Sequence, residues 1–357
     1  PSCPIQLLQI TSRLMSRLSQ HMPSRIGNIM ERPWRVCRPV RQAARPVDAV
    51  RTVGLLNLGN TCYMNSVMQA LLVTRKLVIT LFKQISGYKR THAHAELDSV
   101  VPTKPCNTDS VVPKKRARVN EPTVRKDSFI DAMFGGVLIT RVECTQCRSF
   151  SVSRDVFRDL QLAYPEKREG LQHNVQSLLE YYCSKERLSG DNQYECHDCG
   201  GLRDAERSVL VETTPKYLIL VLKNFKFDPK LGVQAKLMQP IYHNYTVSLP
   251  TVLQPSHVNY TLYAAVIHNG ATLDSGHYYT LAKDAGYWRM YNDEVVSMAD
   301  EKHVNTLPRC HTPYILFYRR ADVEEDAGPT LAELPPRLQQ AVVAHNKHYV
   351  DQSSTTR

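Results

Sequence analysis

Apolar residues along this chain switch between two periods. Met64, Val67, Met68, Leu71 and Leu72 recur at the i, i+3, i+4, i+7, i+8 spacing of a helix, with Thr61 placed to cap it just before Cys62. From Tyr260 to Asp284 they alternate instead, which predicts two strands joined by a Gly-containing loop, the second opened by Gly276-His277-Tyr278. Gly286 to Met298 reads as a third strand and Pro313 to Arg320 as a closing one. The continuous run Tyr217 to Leu222 has the length of a buried strand.

Candidate chemistry sits on these elements. A thiol at Cys62 would feel the positive end of the helix dipole, which favours thiolate. Asn57, five residues upstream, could donate its amide to a developing oxyanion. A buried free cysteine at a helix start fits the segment equally well. The downstream strands decide between them. A meander brings the start of one strand near the end of the next, so His277 can lie beside Asn292 or Asp293 as a base and the group that orients it. A cysteine, a distant histidine and an Asn or Asp is the order expected of a cysteine hydrolase. His268, in AAVIHNG, reads as structural.

A second cluster is Cys144-x-x-Cys147 and Cys196-x-x-Cys199, two knuckles that could complete a tetrahedral zinc site. The 48 residues between them exceed the roughly 15–20 of the usual four-cysteine signature, so spacing alone is moderate support. Ten cysteines in 357 residues do not suggest a secreted disulfide scaffold. No run approaches the ~18 apolar residues of a membrane span.

The chain resembles the ubiquitin-specific proteases, papain-like cysteine peptidases. The resemblance is carried by GLLNLGNTCYMNSVMQAL, the two CxxC pairs, KYLILVLKNFKFD, AAVIHNG, SGHYYTLAKD, YWRMYNDEVV and PYILFYRR, and runs from about Val53 to Arg320. It implies Cys62 as nucleophile, His277 as general base, Asn57 as oxyanion donor and Asn292 as third member, with Asp293 as a partner or substitute. It implies structural Zn2+ on Cys144, Cys147, Cys196 and Cys199 at the tip of a β-rich "fingers" subdomain. The implied reaction is hydrolysis of isopeptide bonds, or of linear peptide or thioester bonds, at the C-terminal glycine of ubiquitin. Ubiquitin and ubiquitinated proteins would be the partners. Gly276 would let the narrow ubiquitin tail approach, although glycine at a strand start also serves as turn punctuation. Tyr278, Tyr279 and Trp288 could touch ubiquitin, but aromatics flanking a strand are more often core.

The resemblance implies an α+β, papain-like architecture: a reduced helical thumb carrying Cys62, a β-rich palm carrying His277 and Asn292, and zinc-tipped β-fingers. Residues 51–322 would form the catalytic domain, with a Cys box at 54–72, a variable insert at 83–125, fingers at about 141–205 and a palm at about 206–322. Residues 1–50 would be a basic extension and 323–357 a tail with one short helical pattern around 336–348. One departure stands out: the polar, Pro-punctuated stretch after about Phe82 lacks the family's Gln-Gln-Asp-type box, so the helical thumb is shortened. Two functions follow, an active deubiquitinating thiol protease or a catalytically inactive ubiquitin-binding scaffold. A nucleic-acid-binding module lacks the interleaved aromatics of a single-strand platform and leaves the Cys and His segments unexplained.

The net charge of +11 changes little, because eight arginines lie in the first fifty residues. That leader is acid-poor and has some transit-peptide traits, a reading given low weight. The cluster from Pro113 to Val119 has the composition of a nuclear import signal, a nucleic-acid patch or a solvated basic loop. The expected setting is the nucleus, the cytoplasm or both.

Overall fold

The computed structural model describes residues 54, 55, 57, 61–80, 128–165, 174–228, 233–237, 241–252, 256–271, 275–284, 286–308 and 310–324, with isolated positions between 336 and 343. The basic extension, the 83–125 insert with its 113–119 cluster and most of the tail pattern lie outside these residues.

The centre is an eight-stranded sheet. Its main path runs β15 (Val295–Met298), β14 (Tyr287–Asn292), β13 (His277–Asp284), β12 (His257–Asn269), β16 (His311–Arg320), β8 (Tyr217–Leu222) and β3 (Leu160–Leu162), with β11 (Thr246–Pro250) paired to β12. All these pairings are antiparallel except β3 with β8. Both faces are covered, which explains why the central strands read as continuous apolar runs.

Alternation sorts their side chains cleanly. Tyr217 and Ile219, Ala264 and Val266, and Ile315 and Phe317 share one core with α1 (Cys62–Val73) and α2 (Phe129–Phe134). Leu218, Leu220 and Leu222, Ala265 and Ile267, and Leu316 and Tyr318 pack on the other side with α3 (Val175–Tyr182) and Val304 of α4 (Glu301–Asn305). α3 is fixed by a capping box in which Asn174 and Ser177 satisfy each other's backbone N–H groups.

A separate four-stranded sheet projects from this body in the order β2 (Phe150–Phe157), β1 (Gly136–Cys144), β7 (Ala205–Thr213) and β4 (Glu186–Leu188). A small ribbon of β5 (Tyr194–Cys196) and β6 (Gly201–Arg203) lies in the same stretch of chain.

Two expectations change on the fold. The stretch from Gly286 to Met298 is two strands, because Asp293 takes a left-handed φ of 47° and turns the chain so that Asn292 pairs with Val295. The helix at Cys62 is buried nearly all round and not on one stripe alone. Its polar Asn65, Ser66 and Gln69 are buried as well, while Leu72 of the expected stripe is exposed. That side is tied to the rest of the fold by hydrogen bonds: Asn65 Nδ2 donates to Asp293 Oδ1 at 2.7 Å, and Thr280 of β13 donates to the Ser66 backbone carbonyl at 2.7 Å.

Candidate active site and four-cysteine cluster

α1 lies across β13, anchored by the Thr280 bond and by an edge-on contact of Tyr63 with Tyr278, ring centres 5.1 Å apart. Cys62 is thereby set at the helix start against the beginning of β13. Thr61 occupies the cap position but makes no capping bond to the helix; its hydroxyl turns back to Asn57 Oδ1 at 3.2 Å. The fold adds an effect that opposes the dipole-favoured thiolate. Burial pushes the Cys62 thiol above its ordinary range, a backbone N–H at Tyr278 pulls it down, and the charge of Asp293 pushes it up again.

The β13–β14 register, with Thr280 opposite Tyr291, makes His277 and Asn292 diagonal neighbours. Asn292 Oδ1 lies 2.5 Å from His277 Nε2, whereas the nearer Asp293 oxygen is 3.9 Å away. The imidazole is therefore oriented by the amide, with Nδ1 left to face other chemistry. Asp293 is engaged elsewhere: its Oδ2 accepts from Asn57 Nδ2 at 2.9 Å and its Oδ1 from Asn65 Nδ2 at 2.7 Å. Asn57 Oδ1 in turn accepts from the Thr61 backbone at 3.2 Å. The structure thus brings Asn57, Cys62, His277, Asn292 and Asp293 into one corner. The sequence reading missed Asn65. Its signal was a polar residue one helical turn after Cys62, on a face that then had no known partner.

His268 is buried and held neutral, with burial drawing it down to about 4. It stacks on Tyr278 at 4.5 Å and backs Gly276, consistent with a packing role. Gly276 has φ of 151°, and a Cβ there would lie 2.3 Å from His268 Nε2. At this position, one residue before His277, only glycine fits such a close pass of His268. Tyr279 and Trp288 are buried in the core below.

The four cysteines of the two CxxC pairs also converge. Cys144, Cys147, Cys196 and Cys199 place their sulfurs within 4.8 Å of one another. Cys147 to Cys196 is 3.5 Å and Cys144 to Cys199 is 4.0 Å. A tetrahedron with Zn–S bonds of about 2.3 Å has edges of roughly 3.8 Å, so the donor set fits such an ion. The two knuckles are built alike. Arg148 (φ 63°) follows the first pair and Gly200 (φ 65°) the second, each turning the chain left-handed directly after its last ligand. Glycine announces that turn in the sequence and arginine hides it. Among the described residues, no helix is long and apolar enough to cross a membrane.

Together these features define an α+β protein with a Cys–His–Asn corner and a separate four-thiol cluster. The sequence profile described as "Ubiquitin carboxyl-terminal hydrolase" matches residues 53–114 and 94–318. The chain belongs to that family. It is 29% identical over 227 residues to ubiquitin carboxyl-terminal hydrolase creB of Emericella nidulans, covering 61% of this chain and 28% of the relative. It is 26% identical over 330 residues to ubiquitin carboxyl-terminal hydrolase 4 of Arabidopsis thaliana, covering 72% and 88%. The chain thus spans under a third of the length of the fungal relative. In fold it is similar to the yeast SAGA DUB module solved with an Sgf73 mutant, at TM-score 0.59 and 22% identity over 76% of this chain and 69% of the other. A SAGA Ubp8/Sgf11/Sus1/Sgf73 DUB module bound to ubiquitin aldehyde gives TM-score 0.58 and 21% identity, over 76% and 70%.

Proposed function

We propose that this chain is a cysteine-type ubiquitinyl hydrolase acting at the C-terminal glycine of ubiquitin. The observation that carries the reading is the orientation of His277 by Asn292 at the strand end facing the start of α1. Burial raises the Cys62 thiol, and His277 is the group that takes its proton as attack proceeds. His277 Nδ1 takes the thiol proton as Cys62 Sγ bonds to the glycine carbonyl carbon, and the oxyanion is met by Asn57 Nδ2. The tetrahedral species collapses to a thioester, and the proton held on His277 leaves with the lysine or peptide amine. Water then attacks the thioester with His277 again as base, releasing ubiquitin as a carboxylate and restoring the thiol. Asn292 holds the imidazole in the tautomer that leaves Nδ1 free to accept.

In this reading Cys144, Cys147, Cys196 and Cys199 hold Zn2+ structurally. Four protein thiolates fill a tetrahedral shell, so the ion ties two knuckles together and takes no part in hydrolysis. The four-stranded sheet and the β5–β6 ribbon that together bear them correspond to the fingers, and the eight-stranded sheet to the palm. The thumb is then α1, the helical residues 75–80 and α2 among the described residues. Ubiquitinated proteins are the substrates.

The test is incubation of the full chain with ubiquitin bearing a thiol-reactive C-terminal warhead. A covalent adduct at Cys62, lost in Cys62→Ala and strongly slowed in His277→Ala, is expected. A folded, zinc-loaded chain that binds ubiquitin but forms no adduct would overturn the hydrolase in favour of a ubiquitin-binding scaffold.

A further inference from the structure

Two adjacent residues at the β14–β15 turn face the catalytic corner, and they do different work. Asn292 meets His277 Nε2 at 2.5 Å, while Asp293 lies 3.9 Å from it and bridges two amides instead. One is Asn57 Nδ2 at 2.9 Å; the other is Asn65 Nδ2 at 2.7 Å. Only a carboxylate offers an acceptor to each of two facing NH2 groups. An amide at position 293 would turn its own NH2 toward one of them. The turn itself is clamped to the segment before Asn57: Leu55 N–H donates to the Asp293 carbonyl at 2.8 Å. A Cβ on Gly54 would lie 2.3 Å from the Glu294 carbonyl oxygen, so the two strands of chain touch backbone to backbone.

We propose that Asn65 is a positioning residue for the oxyanion donor, acting through Asp293 on Asn57; the proposal rests on the hydrolase reading above. Asn65 is 1% exposed and sits one turn after Cys62 on the same helix. It fixes the plane of the Asp293 carboxylate, whose second oxygen then holds one N–H of Asn57. Thr61 holds the Asn57 carbonyl from the other end. With both ends held, the Asn57 amide cannot rotate. The anchor of the donor and the nucleophile thus share one rigid helix, so donor and attacking sulfur keep register when the site loads. Asp293 in this arrangement serves the oxyanion side, and Asn292 alone serves the base.

The experiment uses the full chain with Asn65→Ala and Asn65→Ser, each alone and combined with Asn57→Ala. Turnover of a ubiquitin C-terminal fluorogenic amide is read beside the affinities for ubiquitin and for ubiquitin aldehyde, whose adduct with Cys62 carries an oxyanion-like oxygen. Loss of one oxyanion donor costs about 10²–10³ in kcat, so a misaimed donor should cost about tenfold or more, with KM within about twofold. The preference for aldehyde over ubiquitin should fall in parallel. On the Asn57→Ala background, either Asn65 change should add less than about twofold, because both act through one group. The pH profile of Cys62 alkylation should stay that of the parent chain in the Asn65 variants and move in Asn292→Ala. The serine variant keeps the helix where alanine fails to fold, and thermal melts identify which variant to read. Independent, multiplicative losses would overturn the proposal, as would a KM effect without a kcat effect. A parent chain with no turnover would overturn the hydrolase reading as well, which separates the two failures.

Discussion

At the fingertip, Cys144 and Cys147 lie on one tight turn and Cys196 and Cys199 on another, each closed by a left-handed residue. Cys62, by contrast, comes against the backbone of Tyr278, next to His277, only because a helix from one end of the described chain lands on strands from the other. The fingertip's geometry is mostly local. Its exposed ribbon buries little, and Phe150 and Leu202 nearby are more than half exposed. The catalytic corner is held from below by two apolar cores and from within by side-chain bonds spanning more than 200 residues, such as Asn57 to Asp293. A locally built site depends on its ligand to be rigid, and a globally built one depends on the whole fold.

The largest expected effect separates the two by activity. Cys62→Ala should lower turnover by at least about 10⁴-fold, and His277→Ala should be comparably severe, since members of a catalytic unit fail together. Bound zinc, measured by elemental analysis, should be the same in both variants as in the parent. Loss of metal on removing Cys62 would show that the regions are coupled and break the contrast.

Next in size is removal of the metal. Structural zinc binding supplies about 10–16 kcal/mol in small knuckles, so stripping it with a chelator, or Cys196→Ser, should melt the tip outright. Hydrogen exchange should show β5, β6 and the ends of β1 and β7 losing protection. β12, β13 and β16 should keep theirs, because their stability comes from packed side chains on both faces. Collapse of the central sheet on chelation would mean that the tip is part of the same cooperative unit.

A third change acts on the corner alone. Gly276→Ala must place a methyl group 2.3 Å from His268 Nε2 and 2.7 Å from the Asn269 carbonyl oxygen. Relief requires His277 or its backing to shift, and a displacement near 1 Å at a reacting group costs about 10²-fold. The strain itself should cost only about 1–3 kcal/mol of stability. The expected result is a loss in kcat/KM much larger than the shift in melting temperature implies. Activity near that of the parent would show that the approach of Gly276 to His268 does not set the position of His277.

How much of this was legible in the sequence follows the same division. Both knuckles could be read from CxxC spacing and a resemblance, because their ligands are neighbours along the chain. The helix at Cys62 and the strands Tyr217–Leu222, His277–Asp284 and His311–Arg320 were legible because period and composition agree there. Three things were not. The Asn65–Asp293–Asn57 bridge joins residues whose partners are unknown until the sheet is closed. The hairpin at Asp293 was hidden because the aromatics before the turn, Trp288 and Tyr291, and the valines after it, Val295 and Val296, continue the strand pattern. The burial that opposes the dipole at Cys62 belongs to the finished fold, whereas the dipole is a local property visible in sequence.

The smallest effect concerns pH and sharpens the contrast from the palm side. His243 is 4% exposed beneath α4, and burial draws it down to about 4. Among the described residues neither ring nitrogen has a hydrogen-bonding partner, so the nearby backbone of Val304 offsets little of that cost. In the unfolded chain the same ring titrates near 6.5. Above that pH both states hold it neutral and its full contribution is present. As pH falls from about 6.5 toward 4, the unfolded chain takes up a proton that the folded one resists, and stability is lost. At about 1.4 kcal/mol per pH unit, the loss between pH 6.5 and 5 is on the order of 2 kcal/mol. His268 acts in the same direction. Urea unfolding at pH 7.5 and pH 5 should therefore show a deficit at the lower pH, reduced by about 2 kcal/mol in His243→Leu. Acid also competes with zinc for thiolates, so metal release is followed in the same samples. If the deficit tracks released metal and ignores His243→Leu, acid sensitivity belongs to the fingertip. If it persists with metal still bound and shrinks in the variant, it belongs to the palm, where a buried ring must stay neutral for the core to close.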